Sequence, residues 1–227
     1  MPDRNGQAPD PGAKRPVRLH RLLRIFTDIR AGEAGTAFLL TLNIFLLLLA
    51  YYLIKPVRET LIIVGKDPQT KSYLSGAQAV LLIFVIKAFS RLASRFPRHL
   101  LITWVNLFFI SNLGLFFVFH LFNMPMGTIG IIFFIWIGIF NIFIVAQFWG
   151  FANDIYTYEA GKRLFPVVAF GQTLGAVFGT NIARLIIGPL GKDFAYIMML
   201  MAACVLGICI LLTVIIHRRE VKRTREK

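Results

Sequence analysis

Apolar residues in this chain come in long runs, not in the alternation that marks a half-buried strand. Six runs reach bilayer-spanning length: Thr36–Val64, Tyr73–Leu92, Leu100–Phe122, Thr128–Phe151, Leu164–Ile187 and Phe194–Ile216. About twenty apolar residues of helix cross a hydrocarbon core, so the pattern predicts six transmembrane helices and an all-α integral membrane fold. The gaps between runs are short, which forces sequential helices to run antiparallel as neighbours in one bundle. Residues 1–16, rich in Pro, Gly, Asp and Arg, read as a disordered tail. Residues 17–35 alternate Arg with Leu, Ile and Phe and read as an interfacial amphipathic helix with its linker. The transmembrane domain is expected over 36–216 and a basic tail over 217–227. The hydrophilic start shows no small-residue cleavage site, so no cleaved signal peptide is expected.

Composition supports the same solvent. The chain is 57% hydrophobic and only 16% charged, with 22 Phe, which is far too apolar for a surface facing water on all sides. The net charge of +14 could point to nucleic acid, but no basic domain holds it. The cations instead sit at the two ends and in the gaps, and they sort by side. Seven Lys or Arg precede the first run, Lys87 and Arg91 in the end of the second run and Arg95, Arg98, Lys162 and Arg163 in gaps lie on the same side, and six more follow His217. Opposite them stand only Lys55, Arg58, Lys66, Lys71, Arg184 and Lys192. The positive-inside rule then places both termini in the cytoplasm. No metal-ligand cluster, nucleotide-binding glycine loop or nucleophile motif is present, and the four histidines fall at span ends or outside spans. Neither an enzyme nor a cofactor is expected. Cys204 and Cys209, about 140° apart on a helix, read as packing residues.

The candidate chemistry sits where charge interrupts an apolar run. Lys55, Arg58 and Glu59 lie at i, i+3 and i+4, so they share a helix face that Asn43, Leu47 and Tyr51 continue inward. Charge at such depth marks a substrate path in one reading, with Pro56 kinking the helix toward a cavity. In the other, the span ends at Ile54, Lys55 and Arg58 snorkel to headgroups, and Glu59 pairs with Lys55. Asn141 and Gln147 either glue helices together, beside aromatics that form an interfacial belt, or line the same cavity as Lys55. Gly171, Gly175 and Gly179 form a small-xxx-small stripe that lets another helix approach closely. Arg184 calls for a carboxylate, an anionic ligand or headgroups. Glu159 stands four residues from Arg163, at ion-pair spacing.

Two stretches, Lys55-Pro-Val-Arg-Glu-Thr-Leu-Ile-Ile63 and Glu159-Ala-Gly-Lys-Arg-Leu-Phe-Pro166 with the Gly171-Gln-Thr-Leu-Gly175 helix after it, resemble the ATP/ADP translocase family of nucleotide exchange transporters. That family is distantly related to the major facilitator superfamily. The resemblance implies one half of a major-facilitator-like bundle, since family members have about twice as many spans. It also implies a second six-helix half, or a paired copy, as partner. Arg58 and Glu59 resemble the basic-acidic pair of the family's Lys-Asp-Thr-Leu motif, and Glu159 the acidic residue of its Glu-Ala-Lys-Arg-Phe-Tyr-Pro motif. Arg58 stands for Lys, Gly161 is inserted, and Phe165 replaces Tyr, departures that bear on nucleotide specificity and not on fold.

The resulting expectation is a transporter half in a bacterial inner membrane. It exchanges an anionic solute, with ATP or ADP as candidates, by alternating access. Substrate contacts are expected from Lys55, Arg58, Glu59, Tyr51, Asn43, Asn141, Gln147 and Glu159, with Arg58 the principal cation, Lys55 its helper and Glu59 holding it in place. A membrane anchor or interaction module that keeps the fold without transporting is the alternative.

Overall fold

The computed structural model describes residues 33–65, 68–122, 126–187 and 194–225. The expected tail at 1–16 and most of the expected interfacial segment lie outside them, as does the connection between the fifth and sixth apolar runs. The described chain is all-helical: α1 (Ala34–Gly65), α2 (Pro68–Ala93), α3 (Arg98–Leu121), α4 (Met126–Ile155), α5 (Tyr158–Ile187) and α6 (Phe194–Arg225). Each contains a stretch long and apolar enough to cross a membrane. The helices overrun the apolar runs that predict them because intrahelical hydrogen bonds continue into the polar flanks, most visibly in α6, which carries the basic segment on to Arg225. Two prolines sit inside helices, Pro56 in α1 and Pro166 in α5.

Close approach of α1 and α5 organises the bundle. Steps of four along α5 meet steps of four along α1: a β-carbon at Gly171 would fall 2.7 Å from the Thr41 carbonyl oxygen, one at Gly175 would overlap the Phe45 carbonyl, and one at Gly179 would lie 2.9 Å from the Leu49 carbonyl. Matching steps in the same sense mean that these two helices run parallel. Backbone can touch backbone here only because the side chain is missing, which is how small residues join helices in a lipid phase that offers no hydrophobic drive for association. Phe45 and Phe178 close the seam edge to face, with ring centroids 5.8 Å apart.

α1 also packs on α4 and α6, α3 packs on α4 and α6, and α2 packs chiefly on α4. These principal contacts, with the lesser α5–α6 and α2–α3 ones, map onto themselves when α1 is exchanged with α4, α2 with α5 and α3 with α6. Helices three apart run in opposite directions, so the contact pattern is that of an inverted three-helix repeat. Four helices form a row in the order α5, α1, α4, α2, and α6 and α3 pack behind its middle.

The repeat is unequal. α5 buries Gly171, Gly175, Gly179 and Ala183 against its neighbours, whereas no described residue of α2 is buried. At the corresponding α2–α4 seam the Gln78 side chain lies over Gly138 and fills the space through which α2 would have to approach. Between α3 and α4, Trp136 packs among Phe109, Phe116, Phe133 and Phe140 with ring centroids 5.4–5.6 Å away. This tryptophan is 8% exposed and belongs to the core, not to an interfacial belt, because facing phenylalanines on α3 and α4 supply the edges and faces that aromatic rings prefer.

The α1–α5 seam sets a sharp expectation. Gly175→Ala should lower thermal stability in detergent by about 1–3 kcal/mol, the usual cost of overpacking, because a carbonyl of a neighbouring helix cannot rotate aside. Gly114→Ala, where nothing lies within 4 Å of the added carbon, should melt like the parent. Equal melting of the two variants would mean that the seam tolerates a side chain.

Candidate functional site

The start of α1 and the end of α6 share one end of the bundle, as the 2.5 Å hydrogen bond from Thr36 Oγ1 to Glu220 shows. α1 and α5 both run from this terminal end toward the opposite one, where the charged interruption of α1 lies. The helix does not stop at Ile54. Val57 is fully buried and Leu61 nearly so, which keeps α1 packed past the charges.

At the opposite end an open cavity of about 350 Å3 is lined by Tyr52, Lys55, Pro56, Glu59 and Thr60 of α1 and Thr180 of α5. Lys55 rests over the Tyr52 ring, its Nζ 4.9 Å from the centroid, and no carboxylate among the described residues pairs with it. Glu59 does not take Lys55 as partner. It is ion-paired with Arg58, and its other oxygen accepts from Lys71 Nζ of α2 at 2.5 Å. Arg58 is turned toward α4, its guanidinium 5.0 Å from the centroid of Phe134, and it does not line the cavity. The carboxylate is therefore already shared between two cations, while the third cation faces open space.

The remaining predicted residues are dispersed. Asn43 is buried and donates from Nδ2 to the Cys209 carbonyl and to Thr213 Oγ1, both at 3.1 Å, which ties α1 to α6. Tyr51 is buried against Phe140 and Tyr52. Gln147 donates to Asn106 Oδ1 at 3.4 Å and so joins α4 to α3, the helix-gluing role open to it from the sequence. These two amide contacts, α1 to α6 and α4 to α3, occupy seams that the helix exchange makes equivalent. Asn141 is half-buried on α4. Glu159 is exposed in the first turn of α5, and at about 1.5 Å per residue it lies roughly 30 Å along the axis from Thr180. It cannot share a ligand-sized site with Lys55. Its neighbour Arg163 reaches across to Glu33 at 3.2 Å.

Sequence reasoning gave no role to Lys71, which spacing cannot connect to Glu59, nor to Thr180, which enters the cavity only because the glycine seam brings α5 against α1. At the terminal end it also missed Tyr156, whose hydroxyl is buried without a hydrogen-bond partner. Burial pushes this phenol above its ordinary range, with Glu220 and Glu33 adding to the effect.

No protein-family profile, curated protein or solved structure matches this chain. The likeness to ATP/ADP translocases thus rests on the two motifs alone, one beside the Lys55 cavity and the other at the far end of α5.

The amide pair and the buried phenol can each be tested. Asn106 Nδ2 and Gln147 Oε1 are both buried and unmet, so the single hydrogen bond between these side chains offsets part of a large desolvation cost. Gln147→Leu alone should strand Asn106 and cost about 1–3 kcal/mol, and Asn106→Leu/Gln147→Leu should recover most of the loss. Thermal melts of the two variants decide it, and a double variant less stable than the single would refute the assignment. For Tyr156, a raised folded-state value means that the unfolded chain ionises first. Stability from this group is complete below about pH 10, the ordinary tyrosine value, and is lost as pH rises above it. Tyr156→Phe should remove that alkaline loss without cost at neutral pH. A Phe variant as sensitive to alkali as the parent would count against it.

Proposed function

We propose that this chain is a multi-pass membrane protein acting as half of a transporter for an anionic solute, with Lys55 as the principal substrate cation. The observation that carries the reading is the Lys55 cavity. A cation next to an apolar bundle needs compensation, and Glu59, the carboxylate that lines the same cavity, is engaged by Arg58 and Lys71. An anion entering from the opposite end would supply the missing counter-charge, with the Thr60 and Thr180 hydroxyls and the Tyr52 ring beside it. Nucleotide is the candidate the two motifs suggest, because phosphate oxygens take charge-assisted hydrogen bonds from ammonium groups.

Two features support the half-transporter reading. Major-facilitator halves contain nested inverted three-helix repeats, and the helix contacts here follow that pattern. The row of α5, α1, α4 and α2 is backed by α3 and α6 only behind its middle, which leaves α2, with no buried residue among those described, in want of a neighbour. A second six-helix half, or a second copy, would supply one. The asymmetry of Lys and Arg between loops favours cytoplasmic termini, and a bacterial inner membrane is the setting we propose. The rival reading, a non-transporting anchor, draws on the Arg58–Glu59–Lys71 pairing as a purely internal network, but Lys55 stands outside that network.

Counterflow in liposomes reconstituted with the purified chain, run across nucleotides, phosphate and organic anions, tests this. Lys55→Ala should lower exchange about tenfold or more, since a charge-assisted contact contributes about 1.5–3 kcal/mol. Lys55→Arg should retain part of it, and Arg58→Ala should lose less than Lys55→Ala. Full exchange by Lys55→Ala would remove the site. Absence of counterflow with every anion would favour the anchor.

A further inference from the structure

At the terminal end, remote from Lys55, α3, α4 and α6 surround a second open cavity of about 460 Å3, lined by Arg98, His99, Phe151, Asp154, His217 and Glu220 among others. Two imidazoles meet in it. His99 comes from the first turn of α3 and His217 from the polar extension of α6, and their rings stack with centroids 3.7 Å apart and planes 13° from parallel. The charged groups around them already have partners. Arg98 pairs with Asp154 of α4 at 3.2 Å, and Glu220 accepts from Thr36 of α1 and pairs with Arg223 at 3.9 Å. Arg218 and Lys222 flank His217 in an adjoining depression and add positive charge there.

Histidine is the side chain whose charge ordinarily changes near neutral pH. Two rings stacked this closely can take up one proton, because a charged ring can lie on a neutral one. A second proton is opposed by the first, because it would place two like charges on rings in contact. Among the described residues no third His, Cys, Asp or Glu joins them in a metal-holding group.

We propose that His99 and His217 form a proton-binding site that clasps α3 to α6 at the terminal end. The clasp is closed while the pair holds at most one proton. It opens when both rings are charged, because like charges in contact repel and the flanking Arg218 and Lys222 add to the repulsion. This proposal does not depend on the identity of the solute at Lys55.

The test uses the full chain in lipid nanodiscs and metal-free buffer, with Cys204→Ser and spin labels on Arg95→Cys and Val221→Cys, one beside each arm of the clasp and neither among its charged groups. Pulsed-dipolar distances would be recorded from about pH 8 to about pH 5, the range an imidazole spans. The expected result is a reversible shift to longer distance as pH falls, absent in His99→Phe and in His217→Phe, which keep a stacked ring without its proton. If either Phe variant fails to fold, Gln at the same position gives the same readout. A distance that ignores pH, or a shift that survives both His substitutions and so belongs to Asp154, Glu220 or the bundle at large, would overturn the proposal.

Discussion

Backbone contact between α1 and α5 is the constraint on which the other positions depend. Three glycines bring one helix onto carbonyls of the other, and a slip of one turn in either direction would take one of the three off its carbonyl. With Gly171 on Thr41, Gly175 on Phe45 and Gly179 on Leu49, the two ends of both helices are set without further adjustment. Arg163 arrives opposite Glu33 at the terminal end, and Thr180 arrives beside Lys55 at the other. Neither pairing could specify the register alone. Partly exposed ion pairs contribute at most about 1 kcal/mol, and a hydroxyl next to an open cavity contributes less. The seam decides, and the polar groups at its ends inherit their neighbours from it.

The inverted pattern of helix contacts gives α4 the same place in its triplet that α1 has in its own, yet the two triplets are not equally dense. Glycine at the α1–α5 seam meets bare backbone, whereas at α2–α4 the Gln78 side chain stands over Gly138. One side chain of that size holds two helices apart by more than a methyl would, which is why no described residue of α2 is buried while α5 buries a whole stripe. What holds α2 is therefore specific and sparse: the Lys71 ammonium on Glu59, Gln78 on Gly138, and Phe89 edge-on to Phe143 with ring centroids 4.4 Å apart. The first of these ties runs through a residue that also lines the Lys55 cavity, so occupation of the cavity and attachment of α2 draw on the same carboxylate.

Helix number, order and approximate ends were legible in the sequence because run length alone carries them: a bilayer-length apolar run has few other solutions. The small-xxx-small stripe was legible as a contact but not as a contact with α1, since the motif describes only one of the two surfaces. The polar stripe on α1 was half legible. Spacing places Lys55, Arg58 and Glu59 on one side of the helix, but each four-residue step drifts by about 40°, so Asn43 lies about 120° around from Lys55; in the middle of a bundle such angles send Asn43 to α6, Arg58 to α4 and Lys55 to the cavity beside α5. Glu159 and Arg163 show the same limit. Their four-residue spacing suits a local pair, yet the arginine reaches Glu33, far away in sequence. The His99–His217 stack was out of reach, because each histidine taken singly is an ordinary span-end residue.

The seams can be ranked by what it would take to part them. Separating α1 from α5 would open a strip of backbone that only another glycine-sized surface could refill, and lipid chains fit such a groove poorly. Separating α3 from α6 at the terminal end would cost a ring stack, and separating α3 from α4 there would cost the Arg98–Asp154 pair, whose side chains are 45% and 48% exposed and can be taken over by water. Deeper in, the Asn43 and Gln147 contacts resist parting, because an amide left in the apolar core has no such substitute. A bundle built this way moves least at the α1–α5 seam and most at its ends. Lys55 rides on the least mobile pair of helices, where the spacing of its backbone from that of Thr180 is set by glycine contacts. The adjustable elements, the α2 arm on Glu59 and the histidine clasp between α3 and α6, lie at opposite ends of that rigid pair.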